Sequence, residues 1–273
     1  MKKQILIILL GLGVVFSACT TSYDKLLSGT DVSKKYEYAL KYFNEKKYKR
    51  AIELFDNLNL AVQGTPQEDT VAFYHGLSTY RWKDYQSAET ILAKFIEVYP
   101  RSAFTEKGAY YRVKCLYEST YRYELDPTPT KKAMAIMSEF MYNYPNSEYI
   151  PECKEMMTDL VGRMEKKSFE SAKLYYTMQD YKASRYALKN VLKENAENQY
   201  REEILYYTAM SSYKYAYNSI HQRQKERYMD FVDDYYLFIS EYPESKFRDE
   251  LDDCFEKASK YTKNENDNTN KVE

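Results

Sequence analysis

The sequence has little glycine, little proline and few histidines, and each shortage excludes a class of architecture or site. It contains 7 glycines and 7 prolines among 273 residues, too few for a turn-rich β architecture. So little glycine also argues against a loop that cradles phosphate, and neither G-x-S-x-G nor H-E-x-x-H occurs. The two histidines, His75 and His221, belong to no such motif. We therefore expect no catalytic residues, no metal site and no cofactor, and predict that the chain is not an enzyme.

An excess of one charge is also missing, since 40 basic residues face 41 acidic ones. This balance gives no long-range attraction to nucleic acid, which we exclude as a partner. Tyrosine, in contrast, is abundant, with 32 copies. A tyrosine can bury its ring while its hydroxyl stays in water. The composition therefore suits a thin structure with much surface and little deep core.

The N-terminus has the layout of a targeting segment. Lys2 and Lys3 are followed by an uncharged apolar run at residues 5–16 and then by the small residues Ser17 and Ala18. The run is too short to cross a bilayer, which needs about 20 residues. We predict that the first 18 residues are a signal peptide.

Cys19 sharpens that prediction, because Phe16-Ser17-Ala18-Cys19 resembles the bacterial lipobox. In that motif the cysteine is diacylated and becomes the mature N-terminus, and two acyl chains anchor a protein stably. The resemblance implies a covalent lipid on Cys19 and a lipidated tether over residues 19–32. No aspartate follows Cys19 directly, which indicates sorting to the outer membrane.

Three further cysteines remain, Cys115, Cys153 and Cys254. An odd number cannot form a full set of internal disulfides, and the spacing matches no metal site. Buried thiols in helix packing are the favoured interpretation. One pair stays possible, since the compartment would be oxidising.

A repeat is present in the middle of the chain. Tyr48-Lys49-Arg50-Ala51 and Tyr85-Gln86-Ser87-Ala88 lie 37 residues apart, and a small residue, Ala39 or Gly76, stands twelve positions before each alanine. This spacing is typical of the tetratricopeptide repeat, a pair of antiparallel helices. Its small residues lie where the two helices cross closely, because larger side chains would force them apart.

Two sets of aromatic residues keep the same register through the chain. The first set is Tyr36, Phe73, Tyr110, Phe169 and Tyr206, and the second is Phe43, Tyr80, Tyr117, Tyr176 and Tyr213. Steps within either set are 37, 37, 59 and 37 residues, which indicates five repeats with extra residues in the third. We expect one insertion at residues 123–129, between the two helices of that repeat. The other is predicted as an added helical turn or so around residues 152–165.

The repeat ends agree with this division, since Tyr-Pro-x-Ser occurs at Tyr99, Tyr144 and Tyr242. Proline cannot continue a helix and the serine can cap the next one. The predicted fold is all-α, a right-handed superhelix of about five tetratricopeptide repeats with a C-terminal capping helix. The repeats are expected at about 33–64, 70–101, 106–147, 166–197 and 203–244, within a domain over 33–262 that ends in a cap at 245–262. Residues 263–273, rich in Asn, Lys, Glu and Asp, should be disordered.

Solenoids of this kind bind partners on the concave face that the first helix of each repeat lines. In the first two repeats that face should include Tyr36, Leu40, Phe43, Asn44, Phe73, Leu77, Tyr80 and Arg81. Two interpretations stay open for each residue. Either the side chain lines a binding groove, for which tyrosine and arginine are favoured, or it packs helix against helix.

The combination of a lipobox, a short tether and five such repeats resembles the BamD-type lipoproteins of the β-barrel assembly machinery. The resemblance extends from Cys19 to about Tyr261, and the segment from Tyr144 to Tyr149 looks particularly similar. It implies a non-enzymatic scaffold, lipid-anchored on the periplasmic face of the outer membrane. The partners implied are the barrel-inserting subunit, bound through its POTRA domains by C-terminal repeats, with other assembly lipoproteins as further candidates. The N-terminal repeats would receive the C-terminal segments of unfolded outer-membrane proteins.

Two other functions remain open on the sequence alone. One is a periplasmic tetratricopeptide adaptor that coordinates cell-wall enzymes, although such proteins usually begin with a coiled coil that is not evident here. The other is a glycan-binding outer-membrane lipoprotein, although these are usually much longer.

Overall fold

The computed structural model describes residues 23–262, which form α-helices joined by short connections. The predicted signal peptide, the lipidation site Cys19 and the tail at 263–273 lie outside the described residues. A helical segment at residues 23–28 precedes the labelled helices. These are α1 Val32–Asn44, α2 Tyr48–Ala61, α3 Glu68–Arg81, α4 Tyr85–Val98, α5 Thr105–Glu118, α6 Thr128–Asn143, α7 Ile150–Thr177, α8 Tyr181–Glu194, α9 Arg201–Tyr217, α10 His221–Glu241 and α11 Arg248–Thr262.

The helices belong to two compact units. Within the described residues, the first comprises 23–121 and Asp126–Met157, and the second comprises Arg122–Leu125 and 158–262. In the first unit the pairs are α1 with α2, α3 with α4, and α5 with α6. In the second, the later part of α7 shares a core with α8, and α9 pairs with α10 and α11. The predicted all-α fold of repeated helix pairs is confirmed.

The same tight turn joins the two helices in three of these pairs. Lys46, Lys83 and Gln179 adopt positive φ angles of 58°, 66° and 63°. A left-handed residue at this place lets the following N–H groups bond back to the carbonyls at the helix end. In two of the turns the next residue, Asp84 or Asp180, then caps the following helix with its carboxylate. The turn therefore ends one helix and begins its partner within a few residues.

Small residues lie where paired helices cross. Ala39, Ala51 and Ala88 are fully buried. A Cβ atom added to Gly76 would lie 2.7 Å from Leu92 Cδ2, closer than real Cβ contacts come. The spacing of twelve residues found in the sequence thus corresponds to close contact between the two helices of a pair.

An aromatic stack connects successive helix pairs. Each first-set aromatic from Phe73 onward faces a ring in the residue directly before a later helix, with the two planes within 15° of parallel. The pairs and their centroid distances are Phe73–Phe104 at 4.7 Å, Tyr110–Tyr149 at 3.9 Å, Phe169–Tyr200 at 5.1 Å and Tyr206–Phe247 at 4.1 Å. Aromatic pairs contribute about 0.5–1.5 kcal/mol beyond their buried area. Each stack lies within one unit and attaches the start of a new helix to the pair before it.

The extra residues of the third repeat lie in two places. The segment around residues 152–165, predicted as an added helical turn or so, is helical and forms the front half of α7, which runs for 28 residues without a break. The other insertion lies between α5 and α6, as expected. Within the second unit, Lys167 Nζ donates to the carbonyl oxygens of Tyr123 at 3.1 Å and Leu125 at 2.8 Å. One lysine therefore satisfies backbone acceptors that a loop of this length would leave unpaired.

The glycine at the α3–α4 crossing provides a test of the packing. We expect Gly76→Ala to lower the free energy of unfolding, because overpacking against the fully buried Leu92 costs about 1–3 kcal/mol. That cost exceeds the gain in helix propensity of about 1 kcal/mol. Gly162→Ala is the matched control, since its nearest neighbour is the exposed amide of Gln199, and it should raise stability. Urea denaturation measures both, and equal stabilisation by the two substitutions would contradict the close crossing.

A second test uses His75, which is buried in α3 with its Nδ1 3.1 Å from Asn59 Nδ2. Burial lowers the pKa of His75 below its ordinary value of 6.5. The unfolded chain therefore binds the proton more readily, and stability should fall as the pH drops through that value. We expect the melting temperature of the wild type to fall more between pH 7.5 and 5.5 than that of His75→Gln. If the melting temperatures of both proteins fall equally, protonation of His75 does not cause the loss of stability at low pH.

Candidate functional site

The residues predicted to bind partners lie on α1 and α3, the first helices of the first two pairs. Asp31 begins α1 by accepting a hydrogen bond from the Lys34 N–H at 2.9 Å, which fixes where that helix starts. The two helices contact each other within the first unit. The structure therefore places all eight predicted residues on neighbouring helices, but it buries them to different degrees.

Phe73 and Leu77 belong to the core, and the prediction that they line an open groove is wrong. Their exposed fractions are 1% and 4%. The Phe73 ring lies 4.7 Å from Phe104 and 5.7 Å from Phe95, so it is enclosed by its own and the next helix pair. For these two positions the helix-packing interpretation is correct.

Tyr36, Leu40 and Phe43 are half-buried and pack against the core of the first helix pair. The ring of Phe43 meets that of Tyr74 edge-on at 5.0 Å. Burial, followed by the nearby Tyr74, raises the pKa of Tyr36, so its hydroxyl stays protonated. Only part of the surface of these three side chains is open to a partner, and the rest packs against the core of the first helix pair.

Asn44 and Arg81 are the exposed residues of the predicted site, and the half-buried Tyr80 lies beside Arg81. The Arg81 guanidinium lies 5.8 Å from the Tyr80 ring and 5.7 Å from the Tyr111 ring, and it donates to the Tyr111 hydroxyl at 3.2 Å. Tyr80 and Tyr111 are themselves 5.0 Å apart. We call Tyr80, Arg81 and Tyr111 the tyrosine–arginine patch. It combines a fixed cation with two partly exposed rings, as protein-binding hot spots do.

Tyr111 was not among the sequence-predicted residues, although a signal for it exists. Tyr74, Tyr111 and Tyr207 each follow a first-set aromatic by one position. Each of them meets a second-set aromatic that lies 31 residues earlier, at 5.0–5.1 Å. A repeat register that included this third tyrosine position would have extended the patch onto α5.

The remaining chemistry-bearing groups are structural. Cys115, Cys153 and Cys254 are buried and free. Burial raises the pKa of Cys115 to about 12 and that of Cys153 to about 11, so both stay as unreactive thiols. Between residues 23 and 262 no group of His, Cys, Asp and Glu side chains could hold a metal ion. Among the helices in that range, none combines the length and apolar character that a membrane crossing requires.

Phe73 and Arg81 should respond to truncation to different degrees. We expect Phe73→Ala to lower the free energy of unfolding by about 3–5 kcal/mol, because it leaves a cavity between two rings. Arg81→Ala should lower it by no more than about 1 kcal/mol, since the exposed side chain loses only solvent-facing contacts with Tyr80 and Tyr111. Chemical denaturation followed by circular dichroism distinguishes them. A loss of less than about 1 kcal/mol in the free energy of unfolding for Phe73→Ala would contradict the assignment of Phe73 to the core.

Comparisons with known proteins found one family model and similar solved structures. Among solved structures, a similar chain is found in the TPR2AB-domain:pHSP90-complex of yeast Sti1, with 13% identity, a TM-score of 0.41, and coverage of 85% of this chain and 100% of that chain. A search of curated proteins found no match. The family model described as YfiO, outer membrane lipoprotein, matches residues 29–175, which is just over half of the chain. The resemblance to BamD-type lipoproteins is thereby confirmed, and the chain belongs to the YfiO family of outer membrane lipoproteins.

Proposed function

We propose that this protein is a non-enzymatic scaffold of the β-barrel assembly machinery, held on the periplasmic face of the outer membrane by a lipid on Cys19. The observation that carries the proposal is the family match over residues 29–175, which includes all three helix pairs of the first unit. The barrel-inserting subunit would be its stable partner, and unfolded outer-membrane proteins would be its clients.

The chemistry of the described residues agrees with binding rather than catalysis. The three cysteines are buried thiols, and the buried His75 is hydrogen-bonded to Asn59. The surfaces of the helix pairs carry exposed tyrosine and arginine instead, a composition suited to protein contacts. A scaffold needs no more than such surfaces on a rigid support.

The tyrosine–arginine patch suits the proposed client. A client segment that ends in an aromatic residue has a ring and a terminal carboxylate close together. Tyr80 and Tyr111 would pack against the ring, and Arg81 would pair with the carboxylate. The half-buried Tyr36, Leu40 and Phe43 lie on α1, which contacts α3, and would add apolar contact at their exposed edges. Together with the exposed Asn44 at the end of α1, this assignment keeps six of the eight sequence-predicted residues and leaves Phe73 and Leu77 in the core.

Affinity capture from solubilised membranes tests the proposal. The full chain, tagged after Glu273, should recover an outer-membrane barrel that carries POTRA domains. The Cys19→Ser variant is the matched control for anchoring and should move from the membrane fraction to the soluble periplasmic fraction, because it lacks the lipid. Recovery of cell-wall enzymes without any barrel protein would replace the proposal with the adaptor function. If Cys19→Ser stays in the membrane fraction, the part of the proposal that assigns a lipid anchor to Cys19 is wrong.

A further inference from the structure

A cavity in the second unit carries a strong positive charge that neither the repeat fold nor the client site requires. It lies between α8 and α10, with Tyr215 of α9 in its wall, and has a volume of about 430 Å³. Ligand pockets commonly measure about 300–1,000 Å³, so the cavity has room for one or two side chains of a partner. Its cationic lining residues are Lys182, Arg185, Lys189, Arg223 and Arg227. We call it the cationic cavity.

A buried carboxylate holds two of these cations in place. Asp234 is only 4% exposed and accepts from Arg185 Nε at 2.8 Å and Ser212 Oγ at 2.5 Å, while Lys189 Nζ lies 2.6 Å from its other oxygen. A buried aspartate with three such partners is a costly arrangement unless all of them are positioned well. The side chains of Arg185 and Lys189 are therefore fixed before any ligand arrives, which lowers the entropic cost of binding.

Two cations of the cavity have no carboxylate of their own. Arg223 pairs with Glu226 at 3.0 Å, whereas Lys182 and Arg227 take part in no ion pair within the described range. Arg227 instead lies 4.0 Å from the centroid of the Tyr215 ring and donates to Ser219 Oγ. Its guanidinium is thus oriented by an aromatic face.

The charge balance of the cavity follows from these pairs. The five cations face two lining carboxylates, Glu226 and Asp230, and the buried Asp234. A formal excess of two positive charges remains, and it is carried by the two cations that lack a carboxylate partner. A site with this balance is completed by an anionic ligand, and an arginine stacked on a ring binds a carboxylate in a defined plane.

The lining of the cationic cavity favours a peptide as its ligand over a free ion or a membrane surface. Tyr186 lines the cavity and is 70% exposed, so it offers an aromatic surface beside the cations. A concave site of this kind favours a segment in which an acidic residue neighbours an apolar one. A flat array of lipid headgroups would contact the rim but would not fill the cavity.

We propose that the cationic cavity is a docking site for an acidic segment of a protein partner, with a carboxylate bound by Lys182 and Arg227 and an apolar neighbour packed on Tyr186. The proposal takes from the proposed function only that the protein binds other proteins. It adds the chemistry of the partner and assigns the contact to the second helices of two pairs of the second unit, whereas the residues assigned to clients belong to the first unit.

Fluorescence anisotropy with a short labelled peptide that alternates glutamate and phenylalanine tests the proposal on the full chain. The peptide should bind, the affinity should fall as salt is raised, and the same peptide with glutamine for glutamate should bind at least about tenfold more weakly. The double variant Lys182→Ala with Arg227→Gln should lose about tenfold in affinity. The matched control, Lys193→Ala with Lys257→Ala, removes the same charge from exposed positions of the second unit outside the cavity and should bind like the wild type.

Several results would overturn the proposal. They are no binding of the acidic peptide, equal binding of the glutamine peptide, or equal losses in both double variants. Anionic vesicles of phosphatidylglycerol and phosphatidylcholine provide the lipid arm, and binding there that depends on Lys182 and Arg227 while the peptide does not bind would assign the cavity to headgroups. Lys182→Arg retains the charge and should retain affinity, which separates loss of the site from loss of folding.

Failure of the proposed function would look different. If capture from membranes recovers no barrel protein while the peptide still binds through Lys182 and Arg227, the docking site stands and the assembly role falls. If the barrel protein is recovered equally by the wild type and the double variant, and the peptide binds neither, the assembly role stands and the docking site falls.

Discussion

Each helix pair after the second, and the capping helix α11, depends on an aromatic ring that reaches from the preceding pair to the start of the new helix. Phe73 on Phe104 and Tyr206 on Phe247 are examples, one in each unit, with nearly parallel planes and centroids 4.7 Å and 4.1 Å apart. A helix pair alone cannot bury its apolar face, so it must be covered by a neighbour. The stack provides that cover at the point where a new helix begins, and it sets the start of the helix and its contact with the preceding pair together.

The sequence predicts the helix pairs well because their signals are periodic. Ala39 and Gly76 stand twelve residues before Ala51 and Ala88, and the same spacing is imposed wherever two helices of a pair cross closely. The partners of the stacked rings do not keep a constant spacing from the first-set aromatics. Phe104, Tyr149, Tyr200 and Phe247 follow their first-set aromatics by 31, 39, 31 and 41 residues, since the length of the second helix and its turn varies between pairs. Their register is set by the end of the preceding helix instead, since Phe104, Tyr149 and Phe247 each stand five residues after the tyrosine of a Tyr-Pro-x-Ser motif.

The binding residues were harder to predict for a different reason. Phe73 and Tyr80 both recur at 37 residues, but periodicity reports the position of a residue within the repeat and not whether a later helix covers it. Phe73 is covered by Phe104, whereas Tyr80 stays half-exposed beside Arg81. The cationic cavity could not be predicted from the sequence for another reason. Lys182 and Arg227 are separated by a whole helix, and the even charge balance of the chain masks their local excess.

The abundance of tyrosine is explained by packing at the edges of the helix pairs. Tyr99 and Tyr235 place their rings against the core and donate their hydroxyls to Glu68 at 2.8 Å and Asp252 at 2.6 Å. Burial first, and then these hydrogen bonds, raise the pKa of each hydroxyl to about 12, so both remain donors. These two rings lie at the edge of the core, and a phenylalanine in either place would leave the neighbouring carboxylate without its partner. Most of the tyrosine content therefore serves packing and edge hydrogen bonds, and a nearby cation does not by itself mark a binding surface, since Lys114 lies 5.8 Å from the ring of the buried Tyr110.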